Sequence, residues 1–375
     1  LRGPAGGVIG AAALAEAEGI ERALTFDMGG TSCDVALIES GRPARASGTS
    51  IAGHPIHLPL LDIETVSAGG GSVGWDDSGG ALRVGPRSAG ARPGPAAYGH
   101  GGTEATVTDA NVALGRLEGG MRLGESIRMD GEAAAGAVHR LARRLGLDDR
   151  TCAQGVLTVA NQEMVRALRR VSVERGVDPR ECTLIAFGGA GPLHAADVAD
   201  ELGMRRVICP PAAGVLAALG LVVAGERRDY VRTVLLNAAD HGSLRNEDRK
   251  LRAKATDDVP GGAVEAAGDC RYRGQTHTLT IPWNPDGDPS GLGRDFHAAH
   301  ARRFGDADPS RAVEVVNLRV AVEREGPRLP LAEDDPEHRV MGPTAIPMDG
   351  ATCWVADGWR AHRDAAGAIH LERDG

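Results

Sequence analysis

Two aspartates flank a run of small and hydroxylated residues near the start of the chain, Asp27-Met28-Gly29-Gly30-Thr31-Ser32-Cys33-Asp34. Residues of these types suit contact with an anion and its counter-ion. Glycines, which lack Cβ, let a backbone approach a ligand closely and aim successive N–H groups at it. The hydroxyls of Thr31 and Ser32 add donors. Asp27 and Asp34 offer the hard oxygen atoms that magnesium or its waters prefer. Apolar runs on either side, Ala23 to Phe26 and Val35 to Ile38, make the whole a β-hairpin with a phosphate-gripping tip. That chemistry points to a nucleotide. On this reading Gly29, Gly30, Thr31 and Ser32 contact phosphate. Asp27 holds magnesium through water or orients the attacking nucleophile, and Asp34 is a second acid on the metal side.

A second glycine turn reads Phe187-Gly188-Gly189-Ala190-Gly191-Pro192-Leu193-His194. It follows a strand pattern over 183–187 and precedes a helix over 192–202, with Pro192 suited to the first helical position. Open α/β sheets bind ligands at the carboxyl ends of their strands. Gly188, Gly189, Ala190 and Gly191 are therefore assigned to the nucleotide. His194 is either a packing residue or a ligand contact. A third run, Ser67-Ala68-Gly69-Gly70-Gly71-Ser72, is either a flexible turn or a backbone nest; Gly70 and Gly71 are expected to face the phosphates. Asp109 reads as an N-cap for a helix carrying Asn111 to Leu117. Only Lys250 and Lys254 are lysines, so a Gly-Lys-Ser/Thr phosphate loop is excluded. There is no Ser-His-Asp arrangement and no G-x-S-x-G elbow.

These strings, in this order, resemble the hydantoinase A / 5-oxoprolinase / acetone carboxylase β-subunit family, within the actin, hexokinase and acetate kinase ATPases. The resemblance also rests on Gly3-Pro4-Ala5-Gly6-Gly7, Arg92-Pro93-Gly94-Pro95-Ala96, Thr106 to Asn111, Val173-Glu174-Arg175-Gly176 and Pro210 to Gly220. It implies an actin/hexokinase-like (ribonuclease H-like) α/β fold that binds ATP with Mg2+. In such proteins phosphorylation activates an unreactive partner. The implied activity is ATP-dependent hydrolysis of a cyclic amide of the hydantoin or 5-oxoproline type, with a B-type subunit holding the hydrolytic site. The alternatives are the matching subunit of a ketone carboxylase and a nucleotide-binding module without activity. The family has a first phosphate hairpin upstream of Gly3-Pro4-Ala5-Gly6-Gly7, so the resemblance implies a fragment that is a poor ATPase alone. Cys33 stands where the family has a small hydroxyl residue, and packing is its expected role.

With 375 residues the chain can form two or three domains. The expected division is an ATPase domain over 1–226 and a β-rich domain over 227–375, ending in a small hairpin at Asp357-Gly358-Trp359-Arg360. Proline and acid density between 324 and 350 suggests a linker. A formal net charge of −9 argues against nucleic acid as a partner. No apolar run is long enough to span a bilayer, so no membrane is expected. Six scattered cysteines without a Cys-x-x-Cys pair suit a reduced cytoplasm. An oligomer built with a partner subunit is expected.

Overall fold

In the computed structural model, residues 3–46, 49–51, 54–56, 60–123, 127–327 and 334–374 are described. The chain divides into two units, Leu1–Val223 with Arg328–Gly375, and Ala224–Pro327.

The first unit is built on a nine-stranded mixed sheet. Its centre is β1 (Arg22–Met28), paired antiparallel with β2 (Cys33–Glu39) and parallel with β3 (Thr183–Phe187). The strand β4 (Arg206–Cys209) runs parallel to β3. Beyond β4 lie β6 (Ile369–Arg373) and β5 (Trp359–Asp364), both joined by antiparallel pairing. Leu24, Phe26, Leu184, Ala186 and Val207 are buried in one core cluster, and Ile38, Ile185, Phe187 and Ile208 in another. Sheet residues thus alternate between the clusters, as strand geometry requires. Helix α1 (Gly3–Ala17) joins the second cluster through Ala11, Ala12 and Ala15. Helix α2 (Gly191–Leu202) follows β3, and α3 (Leu216–Val223) follows β4. A Cβ on Gly220 of α3 would stand 1.8 Å from the Gly6 carbonyl oxygen, so only glycine allows α1 and α3 to come this close.

In the second unit a four-stranded antiparallel sheet carries two helices, His241–Asp258 and Gly291–Phe304. Strand Glu226–Asn237 pairs along its length with Val313–Arg324, Glu226 opposite Arg324. Leu244, Tyr272, Phe296, Val315 and Leu318 are buried together as its core.

Two expectations need correction. The β-rich region does not run from 227 to the end of the chain. Strands β5 and β6 extend the large sheet of the first unit, because β6 satisfies the free edge of β4. The proposed linker over 324–350 holds strands instead, at Asp334–Met341 and Thr344–Met348. Its residues 328–333 lie outside the described residues.

Candidate functional site

Strand β1 ends at the turn of the acidic hairpin. Across the ladder Asp27 stands opposite Asp34 on β2 and beside Phe187 at the end of β3. Asp34 is buried and its Oδ1 accepts from the Thr65 hydroxyl. Burial lifts the Asp27 carboxyl to about 6, and the Asp34 charge adds to the rise. Burial, with both acids nearby, also pushes the Cys33 thiol up, so Cys33 is an inert packing group. Among the described residues no lysine or arginine pairs with Asp27.

The turn itself is open. Gly29 donates to the Ser32 carbonyl at 3.1 Å, closing it. A Cβ on Gly29 or Gly30 would meet nothing within 4 Å. Packing inside the protein therefore does not demand glycine at either position. Among the described residues nothing accepts from the amides of Gly30, Thr31 or Ser32, and Gly30 and Thr31 are exposed.

The second glycine turn abuts this hairpin. The Ala190 amide donates to the Met28 carbonyl at 2.9 Å, and the Gly188 amide to that of Ala213 at 2.9 Å. Gly188 has φ +80°, and a Cβ there would lie 2.4 Å from the Met28 oxygen and 2.5 Å from Asp27 Oδ1. Gly191 is pressed on β1, its Cβ position 3.1 Å from the Phe26 oxygen. Gly189 is different: its nearest neighbour would be the Gly350 oxygen at 3.9 Å. So Gly188 and Gly191 are required by the approach of β1, whereas Gly189 is open. Helix α2 starts here with Pro192 in its first turn and no side-chain cap. Its positive dipole end thus lies beside Asp27 and the hairpin, an arrangement that favours an anion.

The third run does not face the site as expected. Gly70 and Gly71 donate to the Gly29 and Gly30 carbonyls at 3.0 and 2.7 Å. Their amides are spent on the hairpin, and both residues are buried. A Cβ on Gly69 would lie 2.6 Å from the Gly30 carbonyl carbon and Thr31 nitrogen. The run is a support laid against the back of the hairpin. From the other side, Thr108 donates both its amide and its hydroxyl to the Gly70 carbonyl, each at 2.8 Å.

Two further expectations resolve. Thr106, not Asp109, caps the helix Val107–Ala113, and Asp109 returns the bond as the third residue of a capping box. Asp109 also accepts from the amides of Ala96 and Ala97, fixing the proline-rich loop before it. His194 is fully buried, its Nδ1 2.8 Å from Asn161 Oδ1 and its Nε2 3.2 Å from Asn111 Nδ2. Burial holds its pKa down at about 3, so the ring is neutral and structural. The sequence missed Thr65, Thr108 and Asn161, whose partners lie far along the chain.

A mixed sheet with helices on its faces, and glycine turns where its central parallel strands end, is the actin/hexokinase-like α/β class. The chain belongs to the hydantoinase/oxoprolinase family, whose family model matches residues 1–230. It is 37% identical over 348 residues to the caprolactamase subunit alpha of Pseudomonas jessenii, covering 88% of this chain and 50% of that protein. It is 33% identical to the 5-oxoprolinase PfmaA of Pestalotiopsis fici, over 96% of this chain and 30% of that protein. The crystal structure of the ATP-dependent caprolactamase from Pseudomonas jessenii superposes with a TM-score of 0.84 at 31% identity. The nucleotide-free acetone carboxylase structure gives 0.80 at 26%. Each structural match covers 99% of this chain and 61% of the other. The chain spans about half the length of the first curated relatives it matches.

Proposed function

We propose that this chain is the ATP-using, A-type part of an enzyme that opens cyclic amides. One observation carries the reading. Asp27, next to last on β1, stands between a hairpin tip with unspent amides and the uncapped start of α2. The amides of Gly30, Thr31 and Ser32, with the two hydroxyls, bind phosphate oxygens. Gly189 lets the backbone approach the rest of the nucleotide. The site fits a magnesium nucleotide, because two facing carboxylates, with no basic partner among the described residues, suit a hard cation. Asp27 and Asp34 would hold Mg2+ directly or through water, and the ion would offset phosphate charge. ATP supplies the phosphoryl group that makes an amide oxygen a leaving group. The protein's share is to position it and to aim fixed dipoles at the developing charge.

The caprolactamase and 5-oxoprolinase relatives support the amide reading. Several relatives are named as subunits, which supports a partner subunit, proposed here to be of the B type. The six cysteines are free and buried, in keeping with a reducing compartment. No helix among the described residues is long and apolar enough to cross a membrane. The test is ADP release by the full-length protein with its partner, offered caprolactam, 5-oxoproline or hydantoin, or acetone with bicarbonate. A ring-opened amino acid formed together with ADP is expected. Carboxylated ketone as the only product overturns the amide reading, and no coupled turnover overturns both.

A further inference from the structure

On β5 and β6 three polar side chains share one face of the large sheet. His362 and His370 are direct partners across the two strands, and Asp364 lies two residues beyond His362. His370 is also paired with Ile208, which belongs to the core cluster that α1 covers. The two imidazoles stack 5.0 Å apart at 12°. The turn 364–368 fixes Asp364: its Oδ1 accepts from the Ala368 amide at 2.7 Å, and its own amide donates to the Ala368 carbonyl at 3.0 Å. Its Oδ2 lies 3.1 Å from His370 Nε2.

Glu18 reaches this pair from the end of α1. Gly19, at φ +63°, stops the helix, and the Ile20 amide donates back to the Ala15 carbonyl at 2.8 Å. The ligand atoms of Glu18, Asp364 and His370 all lie within 4.8 Å of one another. Asp364 and His370 are only 7% and 8% exposed.

Among the described residues the charges of this cluster do not balance. Two carboxylates and one imidazole keep a surplus negative charge whether or not the ring is protonated. Among the described residues no lysine or arginine pairs with Glu18 or Asp364. The neighbouring Arg363 spends its guanidinium on the Gly367 and Pro347 carbonyls. The Asp364–His370 bond is complete without Glu18, so a simple ion pair gives no reason for a second acid there. A divalent cation does, because it balances two carboxylates around a neutral ring.

We infer that Glu18, Asp364 and His370 bind a divalent transition metal of the Zn2+ or Mn2+ class, tying the end of α1 to the β5–β6 hairpin. One imidazole nitrogen with two carboxylate oxygens matches the ligand preference of such ions. Metal–ligand bonds of about 2.0–2.2 Å bring ligand atoms roughly 3–3.5 Å apart, so no pair need close by more than about 1.8 Å. Water completes the coordination, and the role is structural.

The experiment is a Co2+ and Zn2+ titration of chelator-stripped, untagged full-length protein, without nucleotide. It is followed by calorimetry and by the visible absorption of bound Co2+. It is run in the parent and in Asp27→Asn, so that the acidic hairpin is not the source of the signal. One ion per chain is expected in both. Affinity should fall tenfold or more in Glu18→Gln, and binding should vanish in His370→Ala. Glu18→Gln alters a half-buried residue beyond the helix, so its circular dichroism should match the parent's and keep the test valid if His370→Ala misfolds. Absence of a bound ion in the parent, loss of the ion in Asp27→Asn, or parental affinity in Glu18→Gln overturns the site.

Discussion

Two glycine runs that look alike in the sequence have opposite physical situations. At Gly29-Gly30 the space where side chains would stand is empty, and the following amides have no acceptor among the described residues. At Gly69-Gly70-Gly71 added side chains would strike the hairpin or its neighbours, and the Gly70 and Gly71 amides serve the hairpin carbonyls. On the proposed function, the first run is glycine because a ligand approaches it. The second is glycine because the first needs a support at backbone distance. A string of glycines therefore identifies a close approach and leaves open what approaches.

The sharpest way to break this comparison is at the acid between the runs. Asp27→Ala should lower ATP turnover a thousandfold or more, about 4 kcal/mol of transition-state stabilisation, with unchanged circular dichroism. Near-parental turnover would remove the hairpin from the chemistry. Next comes the pair Gly69→Ala and Gly30→Ala. The first should cost up to about 3 kcal/mol in urea unfolding, through overpacking against backbone. The second should stay within about 0.5 kcal/mol in stability yet weaken a slowly hydrolysed ATP analogue. Equal stability losses would erase the distinction.

The charge of Asp27 sharpens it further. Its pKa rises from 3.8 to about 6 on folding, so the folded state holds the proton more tightly. That contribution to stability is complete below pH 3.8 and is lost as pH rises through 6. At pH 8 Asp27→Asn should thus be more stable than the parent by about 2 kcal/mol, from about 1.4 per pKa unit discounted for partial exposure. The advantage should fade below pH 4, as denaturation midpoints measured across pH would reveal. A constant difference would mean that burial of the charge is not what Asp27 opposes. The smallest effect is expected at Gly189→Val, about a tenfold loss of nucleotide affinity by calorimetry, roughly 1.4 kcal/mol. Parental affinity there would make the whole turn structural, like Gly188 and Gly191.

Local signals carried much of the fold into the sequence. Strand 183–187 has the expected limits, since the glycine turn after it punctuates its end. What the sequence could not convey is long-range pairing. Nothing local in 359–373 says that these strands complete the sheet beside β4, and the prolines at 343 and 347 imitate a linker. The same limit governs the site. The acidic hairpin is a local object, so its two strands and turn were legible. Whether an amide at Gly70 is free depends on Gly29, distant along the chain. Asp109 is a narrower miss: Thr106, three residues earlier, already carried the capping-box pattern.

The second unit has a consequence for how the chain can be varied. Its first and last strands are neighbours, Glu226 facing Arg324, so the chain leaves this unit about 5 Å from where it came in. Topologically it is a detour, like a loop on a road that returns to its own junction. Its core of Leu244, Tyr272, Phe296 and Val315 is its own. Lengthening, exchanging or removing such a segment asks only that two adjacent strand ends be joined again. The sheet that bears Asp27 and the strands that close it could then remain in register while the inserted unit diverges.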